Sequence, residues 1–418
     1  MNNKLIKGII SISLLSAFLF SANIKKVETA EKVFTTIAPV PMSGTPILND
    51  LETVALLSRI GNASNEIKLK KTQIDSLGMN RDFFVFNIVT EEFDVIEFKL
   101  LAKGNLAQVW CAIEEIDKGH LTQQVADSFL VYLEKKSGAS SVDPSRGVIA
   151  IDQEYFGTPP NKDGDDLLDV FVCDIKDAWE VGSDDGYVAG FFFSVDQYND
   201  ADIIDQGYRS NERDIIYIDS YPGVFLNDLV RYHGGITTTA HEYQHLIHYN
   251  YDGSEYTIVN EGLSENAEYI TGLATRSADR YLENVNVPIF KWDREGDVLK
   301  DYARASLFYN YIGDRFGLRN YKYHTQGEMN GKNGIESAID QSIKPTLNFS
   351  QLIHDFHIAN LINDRSVAEK YAYANPARNG LWIPEQAAHL MLDSPESTGS
   401  YDLERGGAGY ISLSNINN

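Results

Sequence analysis

Thr237-Thr238-Thr239-Ala240-His241-Glu242-Tyr243-Gln244-His245-Leu246-Ile247-His248-Tyr249 is the stretch around which the rest of the chain is best read. As a helix it puts His241 and His245 one turn apart on one face, so both imidazoles can reach a single metal ion. Glu242 lies roughly 100° around the helix from the first of them, where it can meet a water bound to that metal. Further on comes Asn260-Glu261-Gly262-Leu263-Ser264-Glu265. A catalytic zinc takes three protein ligands and keeps one position open for water, so two histidines leave one ligand to be found. Glu261 is expected to be that ligand. Glu265, one turn further along, is expected behind a ligand imidazole. The alternative is that both glutamates are solvated acids of a surface helix.

The two motifs together, His-Glu-x-x-His and Asn-Glu-x-x-Ser-acid, resemble the gluzincin site known from thermolysin, with a shorter linker between them. The chain is similar to the hyicolysin-like group of secreted bacterial neutral zinc metallopeptidases over roughly residues 80 to 375. Val109-Trp110, Ser210 to Asp219, the two motifs and Tyr302-Ala303-Arg304-Ala305-Ser306-Leu307-Phe308 carry the similarity. The resemblance implies an α+β, zincin-like fold: a mixed β-sheet, an active-site helix and a mainly helical C-terminal subdomain. It also implies that an edge strand beside the active helix pairs with extended substrate. Asp214 to Asp219 is a candidate for that strand, with an interior position as the equal alternative given its apolar middle. A tyrosine or histidine from the C-terminal part should stabilise the oxyanion of the tetrahedral intermediate. Tyr302, Tyr309 and His324 are the candidates, although most of the 23 tyrosines must be packing residues.

At 418 residues and 43% hydrophobic content the chain has material for a large core and more than one packed unit. Its net charge of −24, with no basic block, argues against nucleic acid and anionic membranes as partners. Lys4 and Lys7 followed by the apolar run Gly8 to Ala22 suit a secretory signal peptide over residues 1–22 better than a membrane span. A secreted monomer acting on proteins or peptides is expected, free of the membrane once the signal is removed. Cys111 and Cys173 could form one disulfide or stay as two buried thiols.

Residues 31–118 are expected as an N-terminal arm or pro-segment followed by a small antiparallel β unit, with strands near 83–89, 95–100 and 106–113. Residues 119–330 would form the catalytic domain. It should contain a helix over Thr122 to Lys136 and strands at Gly147 to Asp152, Leu168 to Cys173 and Ala189 to Phe193. Residues 331–418 would be a helical subdomain, with a helix at Phe349 to Ile362 and a last strand after Gly409. Asn161, Asp163, Asp165 and Asp169 have the alternate oxygen spacing of a calcium loop, but lack the usual glycine and the closing glutamate. The competing reading there is a solvated acidic turn. A different class of function also stands open: a non-catalytic, calcium-dependent surface or adhesion module carrying a decayed zinc site. The intact Glu242 speaks against decay, because nothing structural requires it.

Overall fold

Pro41–Ser43 (β1) is the first described element in a computed structural model that describes residues 39–63, 75–181, 186–294, 296–342, 347–375, 378, 384, 386–391 and 402–414. The expected signal peptide lies outside the described residues. After β1 come a short helix α1 (Thr45–Leu48) and α2 (Leu51–Ala63), in a region whose sequence shows only weak periodicity. Three antiparallel strands follow, β2 (Asn80–Asn87), β3 (Glu92–Lys103) and β4 (Ala107–Ala112). Next are α3 (Ile113–Asp117), α4 (Gln123–Glu134) and α5 (Val148–Tyr155). The Thr122 side chain accepts from the Val125 N–H and so caps α4, as its hydroxyl is suited to do. β5 (Leu168–Cys173), β6 (Tyr187–Phe191), the short α6 (Asp200–Ile203) and β7 (Ile215–Asp219) lead to a small hairpin, β8 (Phe225–Leu226) and β9 (Leu229–Val230). From there the described chain is mostly helical: α7 (Tyr232–Tyr249), α8 (Thr257–Ile270), α9 (Asp279–Leu282), α10 (Val298–Phe316), α11 (Arg319–Thr325), α12 (Gly331–Ser342) and α13 (Phe349–Ile362). β10 (Gln386–Met391) and β11 (Tyr410–Ser414) pair in parallel, which gives the C-terminal strand its partner.

Seven strands form one mixed sheet in the order β1-β6-β7-β5-β4-β3-β2. The antiparallel strands expected as a separate β unit are therefore one half of this sheet. Alternation sorts the side chains to two faces. Val170, Val172, Ile216 and Ile218 pack with α4, α7 and α8 in the larger core. Phe83, Phe98, Trp110, Phe171 and Tyr217 form an aromatic core on the other face, joined by Leu48 and Leu57 from the N-terminal segment. Cys111 sits in the first core and Cys173 in the second, so the sheet itself separates the two thiols; both are free and buried. Burial pushes the Cys111 thiol up to about 12.

Two elements differ from the sequence expectation. Gly147 to Asp152, expected as a strand, folds as α5: Val148, Ile151 and Asp152 share one buried face at helical spacing, against α4 and α7. A run this short and apolar carries no decisive period of its own, and packing selects the helix. The candidate edge strand Asp214 to Asp219 contains β7, which is interior, between β5 and β6. The strand next to α7 on the open side is β6, and among the described residues only the three-residue β1 lies beyond it.

Candidate active site

α7 lies across β6 and β7, and Gly190 of β6 sets how close it comes. A Cβ at Gly190 would stand 2.6 Å from Thr238 Cγ2 and 3.2 Å from Glu242 Cγ. The missing side chain thus lets Glu242 reach the end of the strand. α8 packs on the other flank of α7, against α10, and there Gly262 lies so near Tyr309 that a Cβ would be 2.2 Å from its ring.

These contacts bring His241, His245 and Glu261 together, all buried, with one ligand atom from each within 4.8 Å of the others. His241 Nε2 is 3.0 Å from Glu261 Oε2, and His245 Nε2 is 3.1 Å from Glu261 Oε1. The outer nitrogens are held from behind. His241 Nδ1 meets Glu268 Oε1 at 3.1 Å, and His245 Nδ1 meets Ser264 Oγ at 3.2 Å. Ser264 donates its own proton to Gln244 Oε1, so it accepts from the His245 Nδ1–H and leaves Nε2 as a lone pair. His245 Nε2 and Glu261 Oε1 are then two buried acceptors facing each other without a hydrogen bond. Such a pair is costly unless a cation lies between them. Ligand atoms of a tetrahedral zinc with bonds of about 2.0–2.1 Å lie roughly 3.3 Å apart, close to both separations. The donor set therefore fits zinc.

The charges tell the same story. Burial alone would keep Glu261 protonated, and it is positive charge at the His241 and His245 positions that holds its carboxyl down. Burial likewise opposes a charge on His241, and Glu261 and Glu268 outweigh it, so the site attracts positive charge strongly. Burial raises the Glu242 carboxyl above its usual value, against the pull of His241, His245 and the Thr45 hydroxyl. Glu242 Oε2 accepts from Thr45 Oγ1 at 2.7 Å and from the Phe192 N–H at 3.1 Å, while Oε1 has no partner.

Glu265 lies near His241 without a hydrogen bond to it. It accepts from Arg276 Nε at 2.7 Å, and Glu268 holds the imidazole instead. Glu268 is two helical turns from Glu261 and on the same face, a spacing open to view in the sequence. A second group of possible metal donors, His241, Glu265 and Glu268, includes this arginine-paired carboxylate. Of the three oxyanion candidates, Tyr302 is the one that feels the charges of Glu261 and Glu242, and with burial they push its hydroxyl well up. Its hydroxyl donates to the Ser43 carbonyl at 2.9 Å. Tyr309 and His324 bond each other at 2.9 Å, with Glu255 on the far side of the imidazole at 3.4 Å. They form a buried pair one layer behind the cavity wall. His248, also buried, is pushed down to about 3 by burial and then by His324 and His245, and so stays neutral.

The acidic loop does not converge on an open oxygen cage. Arg213 reaches Asp169 at 2.6 Å, Asp75 at 2.7 Å, Asp163 at 3.5 Å and Asp165 at 3.9 Å. Asn161 turns away and donates to Asp166 at 2.6 Å. An internal guanidinium thus pairs with acids that were candidate calcium ligands.

A mixed sheet thus carries a helix with a buried two-histidine, one-glutamate donor set that could hold a metal ion, and a second carboxylate lies beside it. No family model matches the sequence. The chain is similar to the neutral metalloprotease ShpI of Staphylococcus hyicus, 26% identical over 306 residues, which is 67% of this chain and 62% of that protein. The match therefore spans about three-fifths of the relative's length. Among the described residues, no helix is long and apolar enough to cross a membrane.

Proposed function

We propose that the chain is a secreted, zinc-dependent endopeptidase of the hyicolysin-like, zincin type that hydrolyses peptide bonds in proteins or peptides. The observation that carries the reading is the unpartnered His245 Nε2 facing Glu261 Oε1 at 3.1 Å, with the Glu242 carboxylate beside them. His241, His245 and Glu261 would hold the zinc, which when bound supplies a water of lowered pKa and polarises the substrate carbonyl. Glu242 takes a proton from the attacking water at one carboxylate oxygen and later delivers it to the leaving amine. Burial suits it to the task, since a carboxyl raised above its usual value both accepts and returns a proton more readily near neutrality. Tyr302 is the group assigned to donate to the developing oxyanion. Glu268 and Ser264 fix the two imidazoles with their Nε2 atoms inward. The side of β6 now paired with β1 would offer backbone groups to an extended substrate once β1 has left it. Calcium has no part in this reading, because Arg213 supplies the positive charge in the acidic loop.

Elemental analysis should find about one zinc per purified chain, and His245→Ala should lose most of it. Casein cleavage should stop with a zinc chelator and return with added zinc. Full zinc occupancy in His245→Ala, or cleavage indifferent to the chelator, would overturn the assignment.

A further inference from the structure

The part of the chain that lies over the site is its own N-terminal segment. β1 adds to β6 in parallel, and Gly44 N–H donates to Gly190 O at 2.8 Å. It thereby fills the sheet edge that would otherwise be open to a peptide. Two residues on, the Thr45 hydroxyl is on the Glu242 carboxylate at 2.7 Å. The Ser43 carbonyl takes the Tyr302 hydroxyl, and the Ser43 N–H points back to the same oxygen at 3.2 Å. The cavity beside His245 and Glu261 encloses only about 60 Å³, and Thr45, Pro46, Asn49 and Asp50 form one of its walls.

Resting on the function proposed above, we propose that Pro41–Asn49 is a built-in inhibitor that keeps the site latent. It covers the base, the tyrosine and the strand edge at once. Buried Leu48 and Leu57 anchor it in the aromatic core, so it is seated by apolar contact as well as by hydrogen bonds. Its backbone is pinned in place through its carbonyls. Ser43 O accepts from Tyr302, Gly44 O from the Ile47 and Leu48 N–H groups, Thr45 O from Asn49, and Pro46 O from Arg294. The segment turns into α1 at the base instead of lying extended across it, and a helical turn is a poor scissile bond. Activation then requires this segment to leave the β6 edge.

Gly44→Val is the variant that tests this in the full chain. Its new side chain would start 2.8 Å from Val188 Cγ1 and 3.2 Å from Phe191 Cβ, which should drive the segment off β6. Thr45→Val, nearly isosteric, removes the hydroxyl that donates to Glu242 and accepts from the Phe192 N–H, and it carries the test should Gly44→Val not fold. Calorimetry with a dipeptide hydroxamate reads access to the site without requiring turnover. Casein cleavage is read in parallel. Gly44→Val should bind the hydroxamate at least about tenfold more tightly than wild type, and Thr45→Val about threefold or more, because closure lowers the competent fraction. Casein cleavage should rise in the same order. Tighter hydroxamate binding without casein cleavage in any form would uphold the inhibitory segment and sink the peptidase reading. Hydroxamate affinity equal to wild type in the variants that fold would overturn the inhibitory segment whatever the activity.

Discussion

Glu242 and His248 occupy the same helix and are both buried, yet burial does opposite things to them. Burial lifts the carboxyl and depresses the imidazole, since in each case it disfavours the charged form. For Glu242 the outcome is a base near the metal donors but outside them. Glu242→Gln should keep zinc and fold, while peptide cleavage falls by about a hundredfold or more, in the wild-type or the Gly44→Val background. Metal content and melting temperature measured beside activity check this, and retained activity would discard the general-base role. For His248 the consequence is one of stability. Its folded-state value near 3 lies below the unfolded 6.5, so between these the unfolded chain binds more protons. The stability it allows is complete above pH 6.5 and is lost as the pH falls towards 3. His248→Gln has no such proton to bind. The difference in unfolding free energy between wild type and variant should therefore shrink by about 1.4 kcal/mol per pH unit below 6.5. Denaturant titrations at pH 6.5 and 5.5 test it, and parallel pH profiles would contradict the buried neutral imidazole.

Among the elements, those whose sequence carries its own period were legible and those chosen by packing were not. α13 runs over Phe349–Ile362 as its apolar spacing requires, and His241, His245 and Glu261 converge because α7 and α8 each present them on one face. α5 was not legible, since Val148 to Asp152 fits strand and helix alike until α4 and α7 are in place. The order of strands was hidden too: an apolar strand such as β7 reads the same at an edge as in the interior. Glu265 and Glu268 are both a whole number of turns from Glu261, and only the reach of Arg276 decides which one holds His241. Thr45 had no signal at all, being nearly two hundred residues from its partner Glu242. The α8–α10 contact makes a sharper test of element packing. Gly262→Ala would gain about 1 kcal/mol in helix propensity. Against that, its methyl would sit 2.2 Å from the Tyr309 ring, which its bond to His324 holds in place. Overpacking costs about 1–3 kcal/mol, and with a pinned ring it should prevail. A melting temperature several degrees below wild type is expected, and an unchanged or higher one would show that the ring yields.

At the scale of the whole molecule the dominant fact is a charge of −24, and the fold meets it with a few internal arginines where acids crowd. Arg213 is the clearest case. It joins Asp75, ahead of β2, to Asp163 and Asp165 of the loop and to Asp169 on β5. Burial still drives Asp169 up to about 7 and Asp163 to about 6, with Arg213 pulling the other way. The arginine thus offsets part of the burial that pushes these carboxylates towards protonation. Because the loop already holds a cation, millimolar calcium should raise the wild-type melting temperature no more than magnesium at the same ionic strength. Arg213→Met keeps much of the side chain's bulk but strips the charge, leaving several buried acids uncompensated. That should cost about 3–5 kcal/mol of stability at neutral pH. Part of the loss should return as the pH falls, because without the arginine these carboxyls protonate at a higher pH than in the wild type and protonated carboxyls no longer need a partner. Calcium should now stabilise the variant, since it can bind oxygens that the guanidinium has vacated. Thermal melts of both proteins, with calcium and with magnesium, decide the matter. A calcium-specific rise in the wild type, absent in Arg213→Met, would mean that the loop is a calcium site after all and that Arg213 helps to build it.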